Sequence, residues 1–197
     1  MILMEKNFVT SLSLEAEFPL NRYQKDFDEI NIKELTDNIT FSFAIPDSNF
    51  LKLNIKLQKL YNVKLPIVGN NIFISNINLY FMGLQPNQFY LFSKIEYLKD
   101  FNSFIKIFSE FGYFTDQSDS WLILRISGEN CINVLERICP LNLDSETFLN
   151  GNVLRTSMEH VGTIIMRMDK NEFILFSPRS SANSFIHSLE TSINNVL

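Results

Sequence analysis

The sequence predicts an α+β fold made of two pseudo-repeated β-α-β-β-α units whose sheets pair. Three observations predict it. The stretch Asn87-Gln88-Phe89-Tyr90-Leu91-Phe92-Ser93 returns as Asn171-Glu172-Phe173-Ile174-Leu175-Phe176-Ser177, with the shared pattern Asn-x-Phe-x-Leu-Phe-Ser at a spacing of 84 residues (171 minus 87). The register continues beyond it: Phe101 and Phe185, like Ile105 and Leu189, are also 84 apart. The same succession of period-two and helical apolar patterns runs through both halves. A shared peptide followed by matching helix positions marks an internal duplication.

Residues 1–36 are the least periodic. Glu15, Glu17, Asp26, Asp28 and Glu29 are interspersed with Phe18, Tyr23 and Phe27. They predict an irregular N-terminal arm whose aromatics pack on the body or on another subunit. Met1 to Leu14 is broken by Glu5, Lys6 and Asn7 and lacks the apolar core of a secretory leader.

The first unit spans 37–112. Ile39, Phe41, Phe43 and Ile45 alternate with smaller residues, a strand signal. Pro46-Asp47-Ser48 stops that strand and offers an N-cap. Phe50, Leu53, Leu57 and Leu60 then share one face of a helix over 49–61. After Leu65-Pro66, a loop with Gly69, Asn70 and Asn71 leads to a strand near 77–82. Gln85-Pro86-Asn87 turns it into a return strand over 88–92. A helix over 96–111 carries the stripe Tyr97, Phe101, Phe104, Ile105, Phe108 and Phe111, which reads as core.

The second unit spans 113–197. A strand over 121–126 turns at Ser127-Gly128 into a helix over 129–139, with Cys131, Val134, Leu135 and Ile138 on one face. Pro140 stops it. Beyond a loop over 141–151, strands over 153–157 and 161–168 precede the turn Asp169-Lys170-Asn171 and a strand over 172–176. Ser177-Pro178-Arg179-Ser180 opens the last helix, which buries Ala182, Phe185, Ile186, Leu189 and Ile193. Each unit has the split pattern of ferredoxin-like α+β folds. The expectation is that the two sheets pair and that four helices cover one face. The other face is then left to the arm or a partner.

A chain of 197 residues can bury a sizeable core in one compact domain. Its composition, 46% apolar and 20% charged, is ordinary for a globular protein. Phenylalanine is in excess, 19 against one tryptophan, which suits a large core and also an apolar patch facing a partner. A net charge of −5 without any Lys/Arg cluster excludes a nucleic-acid surface. Two cysteines are too few for a disulfide framework and point to a reducing, cytoplasmic setting. No apolar run has the length of a membrane span.

Signatures of chemistry are sparse. Six glycines form neither a dinucleotide fingerprint nor a phosphate loop. Cys131 and Cys139 lack a Cys-x-x-Cys or His-x-His partner and read as buried structural thiols. Glu159-His160, in a turn between two strands, pairs an acid with an imidazole that can do acid–base work. Neighbours on a strand point to opposite faces, however, and the ordinary reading is a loop or interface histidine. His187 reads as a boundary residue of the last helix. Ser177-Pro178-Arg179-Ser180-Ser181 is the best anion-binding candidate, because a helix start with hydroxyls and an arginine suits a phosphate or carboxylate. Its ordinary reading is N-capping, with Arg179 paired to an acidic surface. Asp116-Gln117-Ser118-Asp119-Ser120 reads as a turn and matches no calcium loop.

Several runs together resemble the gamma subunit of heterotetrameric sarcosine oxidase. They are Thr115 to Gly128, Arg155-Thr156 with Met158-Glu159-His160, Leu135 to Pro140 with Leu141 and Leu143-Asp144, and Phe176 to Ala182 with Ser184-Phe185. In the first half, Gly83-Leu84-Gln85-Pro86-Asn87-Gln88-Phe89 is similar to a looser Leu-Gly-Pro-Asp-x-Trp motif, with Gln85 in place of its glycine and Phe89 in place of its tryptophan. The match is dense over 114–190, thin over 39–93 and absent from the arm. The resemblance implies a fold like the folate-binding aminomethyltransferase domain. It also implies a small subunit, itself without catalytic residues, of a complex that oxidatively demethylates sarcosine to glycine. Its partners would be the alpha, beta and delta subunits. FAD, FMN, NAD and tetrahydrofolate would sit in the large partner subunits, zinc in delta, and no cofactor or metal on this chain. Candidate interface or anion-binding residues are Arg179, Ser180, Ser181, His160, Arg155 and Trp121. The alternatives are a stand-alone folate-binding or C1-transfer module, resting on the fold resemblance and the Arg179 helix start, and a generic ferredoxin-like regulatory domain, which predicts a small-ligand pocket between the two repeats.

Overall fold

Many of the strands are apolar on both faces, and two stacked antiparallel sheets are what that pattern requires. The computed structural model describes residues 17–197. Residues 1–16 of the predicted arm lie outside the described residues. In chain order the elements are β1 (Gln24–Phe27), β2 (Ile30–Glu34), β3 (Asn38–Ala44), α1 (Phe50–Tyr61), β4 (Asn71–Ile74), β5 (Leu79–Gln85), β6 (Gln88–Lys94), α2 (Leu98–Phe108), β7 (Tyr113–Asp116), β8 (Trp121–Ser127), α3 (Cys131–Glu136), β9 (Val153–Met158), β10 (Val161–Asp169), β11 (Glu172–Pro178) and α4 (Ala182–Asn194). One sheet has the order β4-β5-β6-β3-β7, the other β1-β2-β8-β11-β10-β9. No helix among the described residues is long and apolar enough to cross a membrane.

The layers follow from side-chain alternation. On β6, Phe89 and Leu91 join Leu53 and Leu57 of α1 and Phe101, Phe104 and Phe108 of α2 in one core. On β8 and β11, Leu122, Leu124, Ile126, Phe173 and Leu175 meet Val134 and Leu135 of α3 and Phe185, Leu189 and Ile193 of α4 in a second. The intervening residues, Met82, Leu84, Phe92, Ile123, Ile164, Met166, Ile174 and Phe176, form a third core between the sheets. The order is therefore two helices, sheet, sheet, two helices. This corrects the expectation of four helices on one face with the other face open. Runs such as Phe89-Tyr90-Leu91-Phe92 bury both faces, so neither sheet has a side to spare.

The two repeats exchange strands. β2 immediately precedes β3, yet it pairs with β8 in the other sheet. β7 immediately precedes β8, yet it pairs with β3. The links cross with matching hydrogen bonds: Leu35 N–H donates to the Ile123 carbonyl and Gln117 N–H to that of Thr40, both at 2.8 Å. A second symmetric seam joins Gly69-Asn70-Asn71 to Gly151-Asn152-Val153. Asn71 N–H donates to the Gly151 carbonyl and Val153 N–H to that of Gly69, each at 2.9 Å. Both glycines are left-handed, with φ of 91° and 84°, where a side chain would be strained.

Residues 24–34, read from sequence as an irregular arm, are thus the β1–β2 hairpin that extends the second sheet. The carboxylate of Glu34, 4% exposed, anchors it by accepting the N–H groups of Leu20 and Tyr23 at 3.0 and 3.1 Å. The four-residue edge strands β4 and β7 were too short for a periodic signal. The helix expected over 129–139 is only Cys131–Glu136, because its last turn tightens into an Ile138-to-Leu135 bond before Pro140. Phenylalanine fills cores: among the described residues Phe73, 45% exposed, is the phenylalanine that stands out to solvent.

Candidate functional site between the sheets

Where the sheets diverge at one end, the space between them opens into a cleft of about 680 Å³. Its floor is a cross-strand row in which Lys33 of β2 faces Arg125 of β8 and Arg125 faces Ile174 of β11. These positions point inward because Ile32, Leu124 and Phe173, their neighbours in sequence, point into the helix-side core. The opposite wall is aromatic. Tyr80 of β5 lies 4.6 Å from Phe73 of β4 and 5.9 Å from Phe92 of β6, ring to ring. Met168 and Glu172 close one side, and the β2–β3 link with Asp37 the other.

The charges in the cleft are unevenly matched. Glu34 is consumed by backbone amides, and Lys94 pairs with Glu96 at 3.6 Å. Among the described residues neither Lys33 nor Arg125 has a carboxylate within 4 Å, and the Arg125 Nε–H is buried without an acceptor. Burial, and then the Glu172 carboxylate, push the Tyr80 phenol above its usual range, so it stays a protonated donor.

Trp121 and Arg155 come together at the other end of the sheet interface, through a residue the sequence did not single out. Tyr90 of β6 receives the Arg155 guanidinium over its ring at 5.2 Å and the edge of Trp121 at 6.1 Å. The Trp121 Nε1–H is buried with no acceptor. Arg179, Ser180 and Ser181 form the single turn leading into α4, just beyond Pro178, which pairs with Trp121. The Arg179 guanidinium donates to the Glu17 carbonyl, and Ser181 makes no side-chain cap bond. His160 and Glu159 are the two central residues of the β9–β10 hairpin, both left-handed (φ 65° and 46°) and both exposed. The six candidates therefore fall into a Trp121–Arg155 pair, an α4 turn and a hairpin tip.

Cys131 and Cys139 are buried free thiols. Burial pushes Cys131 up to about 11 and raises Cys139, so neither is a thiolate nucleophile near neutral pH. No group of three or more His, Cys, Asp or Glu side chains converges on a metal site among the described residues. The sequence reading missed Lys33, Arg125 and Tyr80. An arginine in the otherwise apolar run Trp121-Leu122-Ile123-Leu124-Arg125-Ile126 was the available signal.

No protein-family model matches the chain, and no curated protein matches it in sequence. Solved structures do. A chain of the heterotetrameric sarcosine oxidase from Corynebacterium sp. U-96, solved with pyrrole 2-carboxylate, superposes with a TM-score of 0.70 at 20% identity, covering 84% of each chain. The glycine cleavage system aminomethyltransferase T from Bartonella henselae superposes with a TM-score of 0.65 at 13% identity, covering 88% of this chain and 56% of that one. At these identities the likeness is one of fold: this chain has the mixed α+β architecture, with two antiparallel sheets, that both neighbours contain.

Proposed function

We propose that this chain is a non-catalytic, structural subunit of a sarcosine-oxidase-type complex, serving assembly and stability. The observation that carries the reading is the reciprocal cover, 84% of either chain, in the match to a chain of a heterotetrameric sarcosine oxidase. The motif resemblance over 114–190 supports it. Apolar side chains on the outside fit a subunit that is covered in its working form. Leu51 and Ile55, one helical turn apart on α1, are 71% and 61% exposed, and Ile67 is 71% exposed.

In this reading the alpha, beta and delta subunits are the partners, and the flavins, NAD and tetrahydrofolate belong to the larger ones. The setting is the cytoplasm. The complex converts sarcosine, or a related N-methyl amine, by flavin-dependent demethylation. Affinity purification of the tagged chain from its own cells under native conditions tests it. The expected result is co-elution with larger, flavin-containing chains and sarcosine-dependent oxygen uptake by the eluate. A flavin-free chain that elutes alone would overturn the reading.

A further inference from the structure

The cleft between the sheets has no task in a purely structural subunit. Its construction works against stability. Lys33 and Arg125 are like charges placed directly opposite each other on paired strands, an arrangement that destabilises a sheet. The Arg125 Nε–H is withdrawn from water and given no acceptor, which forfeits a hydrogen bond. An apolar side chain at position 125 would remove both costs, as Ile123 and Ile174 do beside it. The carboxylates of Asp37 and Glu172 also line the cleft, yet neither lies within 4 Å of Lys33 or Arg125, and that of Glu34 is held by the Leu20 and Tyr23 amides. Across the opening stands a wall of aromatic rings.

We infer that this cleft binds a small organic anion, its carboxylate on Lys33 and Arg125 and a flat ring against Tyr80 and Phe92. Each part has a stated cause. The anion cancels the paired cations and gives the Arg125 guanidinium, which has no carboxylate within 4 Å, a charged partner. The ring covers apolar surface that water otherwise wets, and rings pack on rings at the separations seen here. At about 680 Å³ the cleft lies within the range of small-molecule sites. Asp37 and Glu172 also line it, so a second negative group on the ligand is disfavoured. The inference does not depend on which complex the chain joins.

Titration of the isotope-labelled full chain with benzoate tests it, read by NMR shifts and by the thermal midpoint. Saturable shifts centred on Lys33, Arg125 and Tyr80 are expected, with a midpoint that rises with benzoate concentration. Benzamide, which keeps the ring, and acetate, which keeps the charge, are each expected to bind about tenfold more weakly or worse. Arg125→Gln is expected to lose benzoate binding by about tenfold or more while melting no lower than the parent. Lys33→Gln, at an exposed position, repeats the test without risk to folding. The inference is overturned if benzoate binding does not saturate, if benzamide binds as well as benzoate, or if both variants bind like the parent.

Discussion

The two repeats solve the same problem at one matched position with opposite residues. β5 and β10 each carry a bulge where they pair with the following strand, between Gly83 and Gln85 in one and between Arg167 and Asp169 in the other. At Gly83 the strand has no side chain, and the Pro66-Ile67 backbone lies against it: a Cβ there would stand 2.5 Å from the Ile67 carbonyl oxygen. At Arg167 the side chain is present and wholly buried. Its guanidinium donates to the carbonyls of Leu143, Phe148, Asp169 and Lys170 and lies over the Phe173 ring. One repeat brings its loop in by deleting a side chain, the other by extending a cation into the loop. The duplication therefore preserved the strand geometry and not the means of holding the loop.

The helical cores differ in the same spirit. Phe104 and Phe108 on α2 stack at 4.4 Å, and Phe104 also meets Phe81 and Phe114 edge-on. Eighty-four residues later stand Ser188 and Ser192 on α4 (188 minus 104, 192 minus 108). Ser192 is buried and donates to the Val134 carbonyl at 2.8 Å, so α4 lies close on α3. Rings fill the first helix layer; in the second the Ser192 hydroxyl bonds across to α3. Phe104→Ala tests this most severely. It should destabilise the chain by about 4 kcal/mol in urea unfolding, through lost burial plus a cavity. Ser188→Ala should change stability by less than about 0.5 kcal/mol, since Ser188 bonds only within its own helix.

Next come the two bulges. Arg167→Met keeps the length of the side chain and removes the donors. It should cost about 3 kcal/mol, because several buried carbonyls lose their partner together. Faster proteolysis within 141–151 than elsewhere would locate the damage. Gly83→Ala should cost about 2 kcal/mol, since the new methyl meets backbone that cannot rotate away. If Arg167→Met is harmless while Gly83→Ala is not, the guanidinium is incidental and the comparison fails.

The hairpin tips give a smaller contrast, of opposite sign. In the first repeat β4 and β5 turn through Ser75–Ile77, closed by Asn78, one left-handed residue that asparagine tolerates. In the second, Glu159 and His160 are both left-handed, a type I′ turn filled by residues that disfavour it. The double substitution Glu159→Asn with His160→Gly should stabilise the chain by about 1 kcal/mol in urea unfolding. A role for His160 in partner contact would show separately, as loss of the larger chains from the native eluate.

How much of this was legible follows from where the periodicity is strong. The duplication, the paired sheets and the long strands of both repeats were readable, because Phe, Leu and Ile recur at fixed offsets in 87–93 and 171–177. The strand exchange was not. β2 and β7 are short, and nothing local says which sheet a short strand will join; pairing partners are set by tertiary packing. The inner face is not legible, because a run apolar on both faces carries no alternation to show which side packs on the helices and which on the other sheet. Of the site, Trp121 and Arg155 were singled out, but Tyr90, which joins them, sat inside the repeat and read as architecture. Lys33 and Arg125 lie 92 positions apart (125 minus 33) and become neighbours only through the exchanged strand.

The exchanged strands are tied down unequally, and this gives the smallest effect. Glu190 of α4 accepts from Lys25 Nζ at 2.8 Å and Tyr23 Oη at 2.6 Å, pinning the β1–β2 hairpin to the second helix layer. Among the described residues no ion pair joins β7 to α2. The bond from Lys25, then that from Tyr23, holds the Glu190 carboxyl below its ordinary 4.5. A carboxyl lowered on folding contributes its full stability above that ordinary value and loses it as pH falls through the folded one. The contribution is small, because the pair is partly exposed and solvent screens it. Glu190→Gln should therefore cost less than about 1 kcal/mol near pH 7. The gap should narrow as the pH falls below 4.5, as the parent protonates and the variant does not. Urea unfolding along a falling pH series measures it, and hydrogen exchange in Gln24–Glu34 shows whether the loss is local to the hairpin. A gap that persists undiminished in acid would mean that Glu190 acts through packing and not through its charge.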